Sequence, residues 1–270
     1  MKTKSLFTLL LFLINLQLLA QTQNLHSQIV GTWKMTSQKG TDPNGTDLSS
    51  DMAKFQQYKI ITSTHWMYLY YDADSIKGSG DYGTYTLTGN KYVEALTGGY
   101  KTDFTLKVEG NTLYQDGAVI LPDGKKGILH EVYERVAEPV NTNSDIVGTW
   151  EMTSYTLARD GKKAEEKGLS EMEIITPTHT MWLDKKEGEF WTGMLSSYTR
   201  QGNKLISKPI IASFPIDAKT KEDITITPKG DQLNIVAKVT MGDGKVEDWM
   251  MNYKKVGRAK LAKAVSTNKP

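Results

Sequence analysis

Val30-Gly31-Thr32-Trp33-Lys34-Met35-Thr36-Ser37 returns 117 residues later as Val147-Gly148-Thr149-Trp150-Glu151-Met152-Thr153-Ser154. Further matches follow in the same order. Ile60 to His65 returns as Ile174 to His179 at an offset of 114, and Tyr85-Thr86 returns as Tyr198-Thr199 at 113. Asp123-Gly124-Lys125 returns as Asp243-Gly244-Lys245 at 120, with Tyr133 and Val136 answered by Tyr253 and Val256. The offset drifts only where a loop can change length. A repeat this long is far above the 20–50 residues of a solenoid, so each copy reads as a domain with its own core. The expected units are 21–137 and 145–256, joined by a polar linker at 138–144. A basic tail, 257–270, follows and is expected to fray.

Each unit reads as all-β. Short runs of strand-forming residues alternate with turn signals every 8–12 residues. Thr88-Gly89-Asn90 and Glu109-Gly110-Asn111 are hairpin turns, because Gly and Asn tolerate positive φ. Asp47 to Lys54 is expected to form a short helix after the first strand. Eight strands joined mostly by tight turns fit an up-and-down antiparallel barrel, whose closure removes exposed edges. The expectation is therefore two tandem eight-stranded barrels. In the first strand Gly31, Trp33, Met35 and Ser37 share one face and Thr32, Lys34 and Thr36 the other. Glu151 stands in the second unit where Lys34 stands in the first, so charge is expected to point out and Trp in.

Residues 1–20 have the three parts of a cleaved signal peptide: Lys2 and Lys4, an apolar run from Leu6, and a small residue at Ala20. The mature chain contains no further run long enough to span a bilayer. Export is expected, to the periplasm or beyond. With no Cys in the chain, disulfides, thiolate catalysis and Cys-ligated metals are excluded, as is a lipoprotein anchor. The net charge of +2 belongs to the two leader lysines, which leaves the mature chain neutral and gives no reason to expect nucleic acid.

Gly31-Thr32-Trp33 and Gly148-Thr149-Trp150 resemble the Gly-x-Trp motif of the lipocalin (calycin) superfamily. The closer likeness is to short lipocalin-like domains of exported bacterial proteins. It runs through Gly31 to Trp33, Ile61 to His65, Gly83 to Thr86 and Glu131 to Arg135. The second unit keeps the first two motifs and Tyr198-Thr199 of the third. The resemblance implies a barrel floor closed by Trp33 with Arg135 packed over it, and by Trp150 with Lys255 in the same role. It also implies a barrel that can bind a small hydrophobic or amphipathic molecule.

Candidate binding residues follow from chemistry and position. His65 and His179 are equivalent, and each can be a polar group at a pocket mouth or a strand-starting His held by a nearby carbonyl. Tyr68, Tyr70 and Tyr85 in the first unit, and Trp182 and Tyr198 in the second, either line a pocket or pack the core. Trp66, Tyr68 and Tyr70 share a face, and the turn before them leaves open which face is inward. Asp72, Asp74 and Asp81 lack the spacing of a calcium loop and read as a solvated hairpin. One retained His per unit and no Cys speak against zinc, and no cofactor motif is present. No nucleophile elbow, phosphate loop or selected carboxylate pair marks an enzyme. The expected function is thus a non-enzymatic, exported binding protein for a small hydrophobic or amphipathic ligand. One alternative is a filled-barrel module that binds protein or glycan through its surface; another is an enzyme built on a barrel-mouth His.

Overall fold

The computed structural model describes residues 25–73, 77–96, 101–120, 124–136, 145–165 and 167–257. The expected signal peptide, the linker and residues 258–270 lie outside the described residues, as does Asp74.

The first unit is a closed antiparallel barrel in simple up-and-down order. Its strands are β1 (Gly31–Thr41), β2 (Phe55–Ile61), β3 (His65–Asp72) and β4 (Lys77–Thr88), then β5 (Lys91–Leu96), β6 (Lys101–Glu109), β7 (Thr112–Ile120) and β8 (Lys126–Arg135). Pairing of β1 with β8 closes it, Trp33 opposite Arg135. The second unit repeats this with β9 (Gly148–Arg159), β11 (Leu169–Ile175), β12 (His179–Lys186), β13 (Glu189–Gln201), β14 (Lys204–Ala212), β15 (Lys221–Lys229), β16 (Gln232–Thr240) and β17 (Val246–Lys255). It closes through β9 and β17. An added short strand, β10 (Lys162–Glu165), folds back on the end of β9 as a hairpin outside the barrel wall.

Two local expectations differ from what is observed, and one short helix stands where none is expected. Asp47 to Lys54 forms no helix; Asp47 and Ser50 bridge back to Thr41 and Gln38, and residues 52–54 make a turn. The one helical turn among the described residues, 25–29, lies before β1 and supplies Ile29 to the barrel floor. The alternation of β1 does not run through to Ser37, because a bulge between Met35 and Ser37 shifts the register and turns later residues over.

Each floor is built alike. The indole Nε1 of Trp33 donates to Ile29 O at 2.8 Å, and that of Trp150 donates to Ile146 O at 2.8 Å. The Arg135 guanidinium lies 4.1 Å from the centre of the Trp33 ring and donates to Val30 O at 2.8 Å. The Lys255 ammonium lies 5.0 Å from the Trp150 ring. Gly31 and Gly148 have φ of 142° and 154°. That backbone conformation requires Gly, and a Cβ there would also displace the Arg135 or Lys255 side-chain end from over the Trp.

The barrels touch along one wall each. Ile60, Met67 and Leu69 of β2 and β3 point away from their own barrel and form one buried cluster with Ile174, Met181, Leu183 and Leu195 of the other. The contact is isologous: Leu183 lies over Gly80, and Leu69 over Gly193, the equivalent pair. A Cβ on Gly80 would come to 3.0 Å from Leu183, so these glycines let the walls meet closely. Lys185 reaches across to Asp81 at 2.7 Å. For these strands both faces are buried, one inside a barrel and one between barrels.

Candidate functional site

Inward positions of the two barrels are equivalent in register, alike near the floor and different in content above it. In the first barrel Trp66, Tyr68 and Tyr70 of β3 stack in a ladder, with centroids 5.9 Å and 6.5 Å apart. Trp66, Tyr92, Phe104 and Tyr133 are buried around the Lys59 ammonium, 5.5 to 5.9 Å from their ring centres. Lys59 pairs with Glu94 at 2.5 Å and donates to Gln115 Oε1 at 3.0 Å. Gln115 and Tyr133 donate in turn to Glu131 Oε2, and Gln57 donates to the Tyr133 oxygen. The interior of this barrel is occupied by rings around a polar network in which Lys59 is paired with Glu94 and Glu131 accepts from Gln115 and Tyr133.

The same register in the second barrel carries smaller or acidic side chains. Thr180 stands at the position of Trp66, Leu205 at Tyr92, Ile224 at Phe104 and Asp184 at Tyr70. Glu173 stands at the position of Lys59, Ser207 at Glu94 and Met251 at Glu131. The volume given up by the rings becomes a cavity of about 970 Å³. It extends from above the Trp150 floor cluster to the end of the barrel where Trp191, Phe214 and Ile216 are exposed. There the wall is also split. β14 and β15 pair only at Lys204–Thr225 and Leu205–Ile224, so Pro209 further along β14 meets no ladder from β15. The residues between them, 213–220, cross this end, where Phe214 stacks on Trp182 with ring centres 6.2 Å apart.

Most of the lining is apolar, with Trp182, Met194, Ile235, Val239 and Trp249 among it. One patch of wall is acidic. Glu171 of β11 faces Asp184 of β12 directly across the pair, and Glu173 lies one inward step deeper. All three are buried. Tyr253 donates to Glu171 Oε1 at 2.5 Å, and Thr180 to Glu173 Oε1 at 2.5 Å. Asp184 Oδ1, Glu173 Oε2 and the Ser196 hydroxyl have no hydrogen-bond partner among the described residues. Burial raises all three carboxyls. Glu173 is pushed up to about 7, held back by the Thr180 hydroxyl. Asp184 rises to about 6, held back by its hydrogen bond with Glu171. Glu171 goes well above the ordinary range through burial and then the charges of Asp184 and Glu173, so it keeps the proton of the pair. Among the described residues the cations lining the cavity are Arg159 and Lys245. Both lie at the open end and pair with Glu247 and Asp243.

Of the seven binding candidates, Trp182 lines this cavity. His65 and His179 lie at the floor end, buried, each with Nδ1 2.7 Å from the hydroxyl of the preceding Thr. Tyr85 and Tyr198 lie beside them, donating to Thr62 O at 2.8 Å and Thr176 O at 2.7 Å. Tyr68 and Tyr70 belong to the aromatic ladder of the first barrel. The structure therefore gathers four of the seven at the two floors. Sequence reasoning missed Glu171, Glu173 and Asp184. Their only signal was the alternation Glu171-Met172-Glu173-Ile174, which reads equally well with charge outward.

No family model matches the chain, and a search of curated proteins finds no match. Among solved structures, a protein of unknown function from the DUF3598 family of Nostoc punctiforme PCC 73102 is similar. The match covers 86% of this chain and 97% of that one, at 13% identity and a TM-score of 0.30. A likeness of that score carries no function over to this chain.

Proposed function

We propose that this chain is an exported, non-enzymatic binding protein whose second barrel takes up one small amphipathic molecule. The first barrel, filled by its own side chains, serves as the rigid wall against which the second is built. The observation that carries the reading is the cavity of about 970 Å³, mostly apolar and with a few convergent polar groups on one wall. That combination is typical of small-molecule sites, which run to about 300–1,000 Å³. Burial of roughly 200 Å² of apolar ligand surface would contribute about 5 kcal/mol at about 25 cal/mol per Å². The apolar rim of Trp191, Phe214 and Ile216 suits a ligand that arrives tail or ring first.

The test is native mass spectrometry of the protein purified from its own host, alongside titration with the neutral fluorophore N-phenyl-1-naphthylamine. A co-purified small molecule, or saturable fluorophore uptake at one site per chain, is expected. No adduct and no uptake would refute the proposal.

A further inference from the structure

We infer that the ligand's polar end is a cationic amine, an alkylammonium or its equivalent, seated on the inward wall formed by Glu171, Glu173 and Asp184. This deepens the reading of the second barrel as a small-molecule site and rests on it. Two independent observations point to a cation. The first is the unpartnered oxygen of Glu173: the side chain lines the cavity and is more than nine-tenths buried, and its Oε2, enclosed in the wall, has no hydrogen-bond partner among the described residues, while Asp184 beside it has the Glu171 carboxyl for company. A buried carboxylate oxygen without a donor is strongly unfavourable, and an ammonium with its three N–H groups supplies both charge and donors.

The second observation is the chain's own first barrel. At the position of Glu173 it places Lys59, which is a butylammonium delivered covalently to the middle of a barrel. That ammonium is held by one carboxylate at 2.5 Å and one amide oxygen at 3.0 Å, and it lies among rings. The second barrel has lost the lysine and three of the four rings around it, has carboxylates on the wall instead, and opens to solvent. The arrangement that the first barrel completes internally is left to be completed by a molecule from outside.

Other groups facing the wall do not supply the charge. Tyr253, Thr180 and Ser196 are neutral, Glu222 of β15 and Glu247 of β17 are acidic, and Arg159 is engaged by Glu247. Raised carboxyl values favour the same assignment, since a cation at the wall is what allows Asp184 and Glu173 to ionise together.

The experiment is competition against bound N-phenyl-1-naphthylamine by decylamine, decanol and decanoate, at pH 8 and at pH 5. Decylamine stays charged across that range. At pH 8 it is expected to bind at least about tenfold more tightly than decanol, as a charge-assisted hydrogen bond in a buried site implies. Decanoate should be the weakest of the three. At pH 5 the preference for the amine over the alcohol should fall to about twofold, because Asp184 and Glu173 are then protonated. Glu173→Gln with Asp184→Asn should give the same loss at pH 8. Should the double variant fold poorly, the pH arm on the unaltered protein decides the matter. Decanol or decanoate binding as tightly as decylamine at pH 8, with the fluorophore still bound, overturns the cationic end and leaves the cavity reading standing. If neither the fluorophore nor any competitor binds, the cavity reading falls and this inference falls with it.

Discussion

Replacing Glu173 by Gln probes the electrostatic cost of the second barrel's interior. In the unfolded chain this carboxyl ionises near 4.5; in the fold, burial pushes it up to about 7. A carboxyl raised by folding binds its proton more tightly in the folded state. Its stabilising contribution is therefore complete below the unfolded value and is lost as pH rises through about 7. The interval converts to about 3 kcal/mol against the folded state at pH 8, and close to nothing at pH 4. Gln keeps the shape and can still accept from the Thr180 hydroxyl, but it carries no charge. Glu173→Gln should accordingly match the unaltered protein at pH 4 and exceed it by about 3 kcal/mol at pH 8. The two barrels share a buried cluster and are expected to melt together, so the gain corresponds to about 6–12 °C at this chain length. Thermal melts of both proteins at several pH values between 4 and 8 give the difference curve, in which titrating groups remote from Glu173 cancel. A flat difference curve, or a variant less stable at pH 8, refutes the reasoning: Glu173 would then be solvated or already paired with a cation.

Three further perturbations bear on the fold and the cavity. Thr180→Trp installs in the second barrel the ring that fills the first at Trp66; fluorophore affinity should drop at least about tenfold with the circular dichroism spectrum retained. Lys59→Met leaves Glu94 buried without its cation and should destabilise the chain by about 3–5 kcal/mol in urea melts, whereas adding Glu94→Gln should restore most of the loss. Leu183→Asp buries a carboxylate between the walls; calorimetry should then resolve two transitions, or one much lowered, in place of a single cooperative one.

Much of the fold was legible because its causes are local. Turn chemistry at Gly89, Gly110, Gly202 and Gly230, all at positive φ, marks hairpins that a reader can place without a structure. The repeated Gly-x-Trp marks where each floor begins. The bulge after Met35 was not legible, since an extra residue in a ladder leaves no mark in the alternation until its partner strand is known. The candidate site was mostly illegible. His65, His179, Tyr85 and Tyr198 stood out through repetition, yet repetition also marks a floor built twice. The acidic wall stood out in nothing, because its residues differ between the copies: Gln57 against Glu171, Lys59 against Glu173, Tyr70 against Asp184.

What the sequence determined by itself is the period. Every second residue of Glu171 to Ile175 and of Gln57 to Ile61 faces one way, and the duplication dictates that both units follow one plan. What the period leaves out is the sign. A strand with charge on one face and Met or Ile on the other is ordinarily placed with charge in water. Here the apolar faces of β2, β3, β11 and β12 are buried against the other barrel, so the charged faces have only the interiors left. Tertiary packing made that choice, since placing the two apolar walls against each other removes both from water at once. In the first barrel Lys59 and Glu94 answer one another across the interior. In the second, three carboxyls line a cavity in which, among the described residues, the cations Arg159 and Lys245 are paired elsewhere.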